Sequence, residues 1–261
     1  MKFYLFLFTA AAVLPPTLAI FLAYIPWDVP NGEVKHVTFP MNIANAPHER
    51  GYYFSQYYIL TGQKAGNYIG LQPRPDAGPG RSIVHGTFST FVPGSTVNDK
   101  DHCKPGADGS PDGVSCAVDF EGTYANTYNL EVLNTEGTTW NGTAVDTVTG
   151  RRIHIGSYTL PAGTGTTLQW HIGFVEYFPS PPPPCDKLPY TSVMFGVPTT
   201  DAGKGSLKNP YEVGPCKGED SFRSTRTPDG GVDISAGFPA KVANVHFLDQ
   251  HDGYSDISNG M

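Results

Sequence analysis

Charge is scarce in this sequence. Only 16% of its residues are Asp, Glu, Lys or Arg, against about a quarter in soluble domains. Acids outnumber bases 24 to 17, for a net charge of -7. Clustered Lys and Arg are what bind nucleic acid, so no nucleic-acid partner is expected. Poverty of charge with 12% aromatic residues also excludes a disordered chain, which shows the reverse. Beyond the N-terminal segment no apolar run is long enough to cross a bilayer, and no helical period is present. Gly-x-Ser-x-Gly, a phosphate loop and His-Glu-x-x-His are all missing. So is the Glu-x-Asp-x-x-Glu run of laminarinase-like sandwich hydrolases. There is no Cys-x-x-Cys and no finger-spaced His pair. Neither Asp108 and Asp112 nor the tail acids Asp249, Asp252 and Asp256 have EF-hand spacing. No metal and no cofactor is therefore expected.

Turn formers are plentiful instead. Gly and Pro, 30 and 24, make about a fifth of the 261 residues without a collagen-like period. Between them lie short β-type runs: 35–39, 52–60, 67–72, 82–91, 115–121, 127–134, 138–145, 152–160, 168–178, 191–195, 222–225, 232–238 and 242–247. Regular spacing of such runs predicts one all-β, jelly-roll-like antiparallel sandwich. Residues 147–151 read as a hairpin tip, with Gly150 supplying a positive φ. Pro181–Pro184 must be an exposed loop, since proline cannot donate to a sheet ladder.

Met1–Ala19 reads as a secretory signal: Lys2, an apolar run from Phe3 to Leu14, then Thr17-Leu18-Ala19 as the cleavage site. Residues 20–261 form the single mature domain. Apolar residues continue to Ile25, so Phe3–Ile25 also fits an uncleaved anchor; cleavage is the preferred reading, leaving a mature form without membrane attachment. Four cysteines agree with export. The favoured pairing is Cys103–Cys116 and Cys185–Cys216, each closing a loop at its base. Asn141-Gly142-Thr143 is a glycosylation sequon and predicts a surface strand end.

Alternation assigns faces. In 168–178, Leu168, Trp170, Ile172, Phe174 and Phe178 read as core, and Gln169, His171, Val175 and Tyr177 as a polar-aromatic face. Tyr52–Leu60 carries aromatics on both faces. Tyr53 and Tyr58 then suit stacking on sugar rings, with Gln56 beside them; the pattern equally fits a strand buried on both sides. Gln72 ends the neighbouring strand, so the two amides could grip a carboxylate or hydroxyl. Asp119 and Glu121 share a face, with Cα atoms about 7 Å apart. That spacing suits either a carboxylate pair or an ordinary solvent face. Glu176 falls on the apolar side; buried, it would be a proton donor with a raised pKa, unless a twist or bulge frees it. His171 or Tyr177 as base, with Gln56, Gln72 or Arg81 neutralising charge, has the elements of β-elimination on a uronate. His154 could join if its strand is adjacent.

Tyr52–Gln56, Asn67-Tyr68-Ile69-Gly70-Leu71-Gln72, Ile155-Gly156-Ser157 and Gly173-Phe174-Val175-Glu176-Tyr177 together resemble a family of secreted bacterial and fungal proteins known as a domain of unknown function. The likeness covers roughly residues 35–240. It departs at Asn67, where the family has glycine. It implies an extracellular β-sandwich in a carbohydrate-rich setting and assigns no catalytic residue. The expectation is a monomeric secreted protein that binds or acts on an extracellular glycan or polysaccharide. A polysaccharide lyase is the enzymatic alternative, and a surface or host-interaction protein is the non-enzymatic one.

Overall fold

The structure, a computed structural model, describes residues 19–239. The signal segment up to Leu18, the 242–247 run and the acidic tail lie outside the described residues. In chain order the strands are β1 (Ile20–Asp28), β2 (His36–Asn42), β3 (Tyr52–Leu60), β4 (Asn67–Pro73), β5 (Ile83–Thr90) and β6 (Thr96–Val97). Next come β7 (Cys103–Ala107), β8 (Ser110–Glu121), β9 (Thr127–Glu136), β10 (Thr139–Asp146), β11 (Arg152–Thr159), β12 (Leu168–Tyr177) and β13 (Thr191–Phe195). Short strands complete the set: β14 (Thr199–Thr200), β15 (Gly203–Lys204), β16 (Ser206–Leu207), β17 (Tyr211–Glu212), β18 (Arg223–Arg226) and β19 (Val232–Ala236). Among the described residues the only helical element is a 3₁₀ turn at Cys185–Lys187, and no helix is long and apolar enough to cross a membrane.

Two antiparallel sheets form the predicted sandwich. Sheet I runs β16-β1-β12-β3-β4-β5-β8-β7, and sheet II runs β18-β19-β13-β2-β9-β10-β11-β6. Large apolar side chains fill the space between them. Phe88 of sheet I stacks on Tyr158 of sheet II with centroids 4.5 Å apart, and Trp27 meets Phe39 at 5.1 Å. Such aromatic contacts across the layers add specific geometry to the burial that stabilises a sandwich. The disulfides are Cys103–Cys116 and Cys185–Cys216, as expected.

The apolar residues after Ala19 are a strand. Ile20–Asp28 pairs with β12, and Leu22 and Ile25 are wholly buried. The Gly/Asp/Pro-rich stretch between Cys103 and Cys116 is a hairpin, β7–β8, with its cysteines directly paired. Its tip is Asp108-Gly109, both at positive φ (45° and 82°). Positive φ at both central residues marks a type I′ turn, which Asp-Gly favours. Gly150 has φ 73° at the predicted 147–151 tip. Asn141 lies mid-strand in β10, between β9 and β11, rather than at a strand end.

Candidate functional site

Leu168 packs against the core as predicted, but beyond the register shift after it the faces of β12 are the reverse of the predicted ones. Val175 and Tyr177 join the core between the sheets, while Phe174 belongs to a separate aromatic cluster with Tyr53 and Tyr68. Apolarity misleads here because both faces of sheet I carry rings. Trp170, 48% exposed, and Phe178 lie on the outer side. His171 therefore points inward and packs on Trp27 with ring centroids 4.1 Å apart. Burial pushes its pKa down. Tyr58 and Gln56 are on the same inward side and almost wholly buried. Gly173 makes room for Gln56: a Cβ there would lie 2.9 Å from Gln56 Oε1. So His171, Tyr177, Gln56 and Tyr58 do not line an outer site. Arg81 is exposed and paired with Glu121, away from any of them. His154 lies in sheet II and is not adjacent to β12.

The outer face of sheet I gathers Tyr53, Gln72 and Glu176. Register explains how. Glu176 pairs with Tyr53, Phe54 with Leu71, Gln72 with His85, and His85 with Asp119. Successive strands lie about 4.8 Å apart. Glu176, Tyr53, Gln72, His85 and Asp119 thus form one row across five strands. Alternation puts all five on one face. The row floors a groove of about 1090 Å³, with the β7–β8 hairpin along one side and Arg50, Arg74, Lys104 and Asp108 among its lining residues. Gly70 clears space for the Tyr53 ring: a Cβ at residue 70 would lie 2.7 Å from Tyr53 Cε2.

Two electrostatic centres occupy this groove. At one end, burial among aromatic rings raises the Glu176 pKa to about 7, and the Asp108 carboxylate adds to the shift. Charge without water is the cause: an ionised carboxylate loses its hydration there. Asp108 is itself raised by burial and accepts a hydrogen bond from the Tyr68 hydroxyl at 3.2 Å. The Tyr53 hydroxyl accepts hydrogen bonds from Ser55 (3.0 Å) and Thr87 (2.8 Å). The β12–β3 register is continuous from Trp170 to Tyr177, and the bulge beside Glu176 lies in β1 between Phe21 and Ala23, so Glu176 keeps its place in the alternation.

At the other end His85 Nδ1 lies 2.6 Å from Asp119 Oδ1. Burial, then the Arg74 charge, push the His85 pKa down, outweighing Asp119. Burial thus favours the uncharged imidazole. Held by Asp119 at Nδ1, it keeps Nε2 as a free base. Arg74 donates to Gln72 Oε1 at 2.7 Å, and its Nε lies 3.9 Å from Asp119. Tyr124 accepts the Arg74 N–H at 2.8 Å and steadies that backbone. Asp119 and Glu121 do share a face, but Glu121 pairs with Arg81 and Asp119 with the His85 ring.

Sequence reasoning missed Arg74 and His85, and weighed Asp108 only as a calcium ligand. The alternation signal was available: Gln72 and Arg74 are two apart, and His85 sits at i and i+2 with Thr87. The Asp-Gly dipeptide between Pro105 and Pro111 was a turn signal for Asp108.

No protein-family model and no curated protein matches the chain. Among solved structures it is similar to scytalido-glutamic peptidase with a peptide-based transition-state analog, at 13% identity and TM-score 0.46, covering 84% of this chain and 98% of that one. It is also similar to SCP-B, an eqolisin-family peptidase in complex with the tripeptide Ala-Ile-His. There the identity is 10% and the TM-score 0.41, over 84% of this chain and 98% of the other.

Proposed function

We propose that this is a secreted glycan-recognising protein whose outer groove on sheet I holds an extended polysaccharide and cleaves it at uronate residues. Two disulfides fit an oxidising compartment. One observation carries the reading: His85, held by Asp119, stands beside the Arg74–Gln72 pair on the floor of one groove. β-Elimination needs these parts. Arg74 and Gln72 neutralise the uronate carboxylate, which acidifies the proton on C5. His85 Nε2 removes that proton. The electron pair left on C5 forms the C4–C5 double bond, and the C4–O bond breaks. The protonated His85 then returns that proton to the departing oxygen, since Glu176 stands three strands, about 14 Å, away. The partly exposed ring of Phe178 gives flat contact area to a sugar at the groove, over the buried Tyr53 and Tyr68.

The test is a screen of the purified mature chain on uronic-acid polysaccharides, neutral glycans and an unfolded protein. It follows ultraviolet absorbance of new unsaturated ends, reducing sugar, and retention on insoluble glycan. Unsaturated product that falls at least about a hundredfold in His85→Ala supports the reading. Reducing ends without unsaturation would replace elimination by hydrolysis. Retention without product would leave a binder only. Cleavage of protein with no glycan product or retention would overturn the carbohydrate reading.

A further inference from the structure

Away from the groove, three side chains converge at the β11 edge of sheet II. His102 Nδ1 lies 2.8 Å from Asp99 Oδ2, and His154 Nε2 lies 3.0 Å from the same oxygen. One ligand atom from each of the three falls within 4.8 Å of the others. We propose that Asp99, His102 and His154 bind a first-row divalent cation of the zinc type.

The geometry argues for it. Zinc binds imidazole nitrogen and carboxylate oxygen at about 2.0–2.2 Å in a tetrahedron. Two ligand atoms of such a tetrahedron lie about 3.3–3.5 Å apart. The two nitrogen–oxygen separations here are already within about half an ångström of that edge. Two imidazoles and one carboxylate suit borderline cations and leave a position for water. Each imidazole presents a single nitrogen toward one oxygen, so a cation can replace the two shared protons without a rotamer change.

The cluster is also held in place before any cation arrives. Asp99 Oδ1 accepts the backbone N–H groups of Asp101 (3.0 Å) and His102 (3.3 Å), leaving Oδ2 to face the imidazoles. The backbone N–H groups of Asn98 and Asp99 both donate to the Ser157 carbonyl of β11, at 3.1 and 3.2 Å. The N–H of Cys103 donates to the Asp99 carbonyl at 3.0 Å, and Cys103 is bonded to Cys116 of β8. His154 stands between the buried Ile153 and Ile155 and so points away from the core. The nearby Arg152 is drawn off by Glu131. Fixing of ligands by an outer layer of hydrogen bonds is typical of metal sites. No sequence motif announces this one, because Asp99 and His154 are 55 residues apart.

Calorimetric titration of the untagged mature chain with Zn²⁺, and the visible absorption of its Co²⁺ form, test the proposal. One equivalent should bind to the wild type, with the Co²⁺ bands of a four-coordinate nitrogen–oxygen site. His154→Ala, His102→Ala and Asp99→Ala should each weaken Zn²⁺ binding by at least about tenfold, and Zn²⁺ should raise the melting temperature of the wild type only. His154 is exposed, so its variant keeps the fold and stands alone if the others do not. Absence of Zn²⁺ binding by the wild type would overturn the proposal, as would binding undiminished in His154→Ala.

Discussion

Glu176→Gln should make the protein more stable at alkaline pH and progressively less so in acid. The Glu176 carboxyl has a pKa of about 7 in the folded chain, against an ordinary 4.5. Each tenfold change in proton affinity corresponds to about 1.4 kcal/mol, so burying the ionised form costs about 3 kcal/mol. The sign follows from proton binding. Between pH 4.5 and 7 the folded state holds the proton and the unfolded state has lost it, so stability falls as pH rises. The full cost is present above about pH 7. Glutamine has the shape of the protonated side chain and no charge to bury, so it escapes the cost. Urea denaturation of both proteins at pH 5, 6, 7 and 8 measures the difference directly. The difference should be about 1 kcal/mol at pH 5 and grow to about 3 kcal/mol in favour of the variant by pH 8. Asp220, also raised to about 7 by burial beside Glu212, contributes equally to both proteins and cancels. A variant less stable than the wild type at pH 8, or one with the same pH dependence, would refute the burial argument.

Three further outcomes follow from the packing. Gly173→Ala should cost about 1–3 kcal/mol in denaturant titration, since its Cβ meets Gln56 and Ile25 in the core. Gln56→Leu should be neutral or stabilising by about 1 kcal/mol in the same assay, because both polar atoms of the Gln56 amide are buried without a partner; a loss above 2 kcal/mol would reveal a hidden one. Replacing Cys103 and Cys116 together by Ser should lower stability by about 3 kcal/mol for the 13-residue separation they close, read as an earlier urea midpoint.

Strand positions were legible in the sequence wherever turn formers punctuated them. Tyr52–Leu60 and Thr191–Phe195 coincide with the predicted runs, and most others agree to within two residues. Strand β1 was hidden because its apolar residues continue an N-terminal run that reads as signal. The groove was only half legible, for a related reason. Period-two alternation separates two faces but does not say which is inside. On β12 a face of Trp170, Ile172, Phe174 and Phe178 outweighs one of His171, Val175 and Tyr177 by any hydropathy measure, yet the second is the inner one. The aromatic surplus of sheet I belongs to its groove. The β3–β4 neighbours were legible as a hairpin, but more distant cross-strand partners were not: His85 and Asp119 meet only through a register that local sequence does not encode.

The β7–β8 hairpin puts one covalent bond between two otherwise separate places. At its tip Asp108 faces the Tyr68 hydroxyl and raises the proton affinity of Glu176; at its base His102 immediately precedes Cys103. Sheet I and the edge of sheet II thereby share a mechanical joint. Opening the Cys103–Cys116 bond would slacken both ends of that lever together, loosening the groove wall and spreading the Asp99–His102–His154 cluster in a single chemical event.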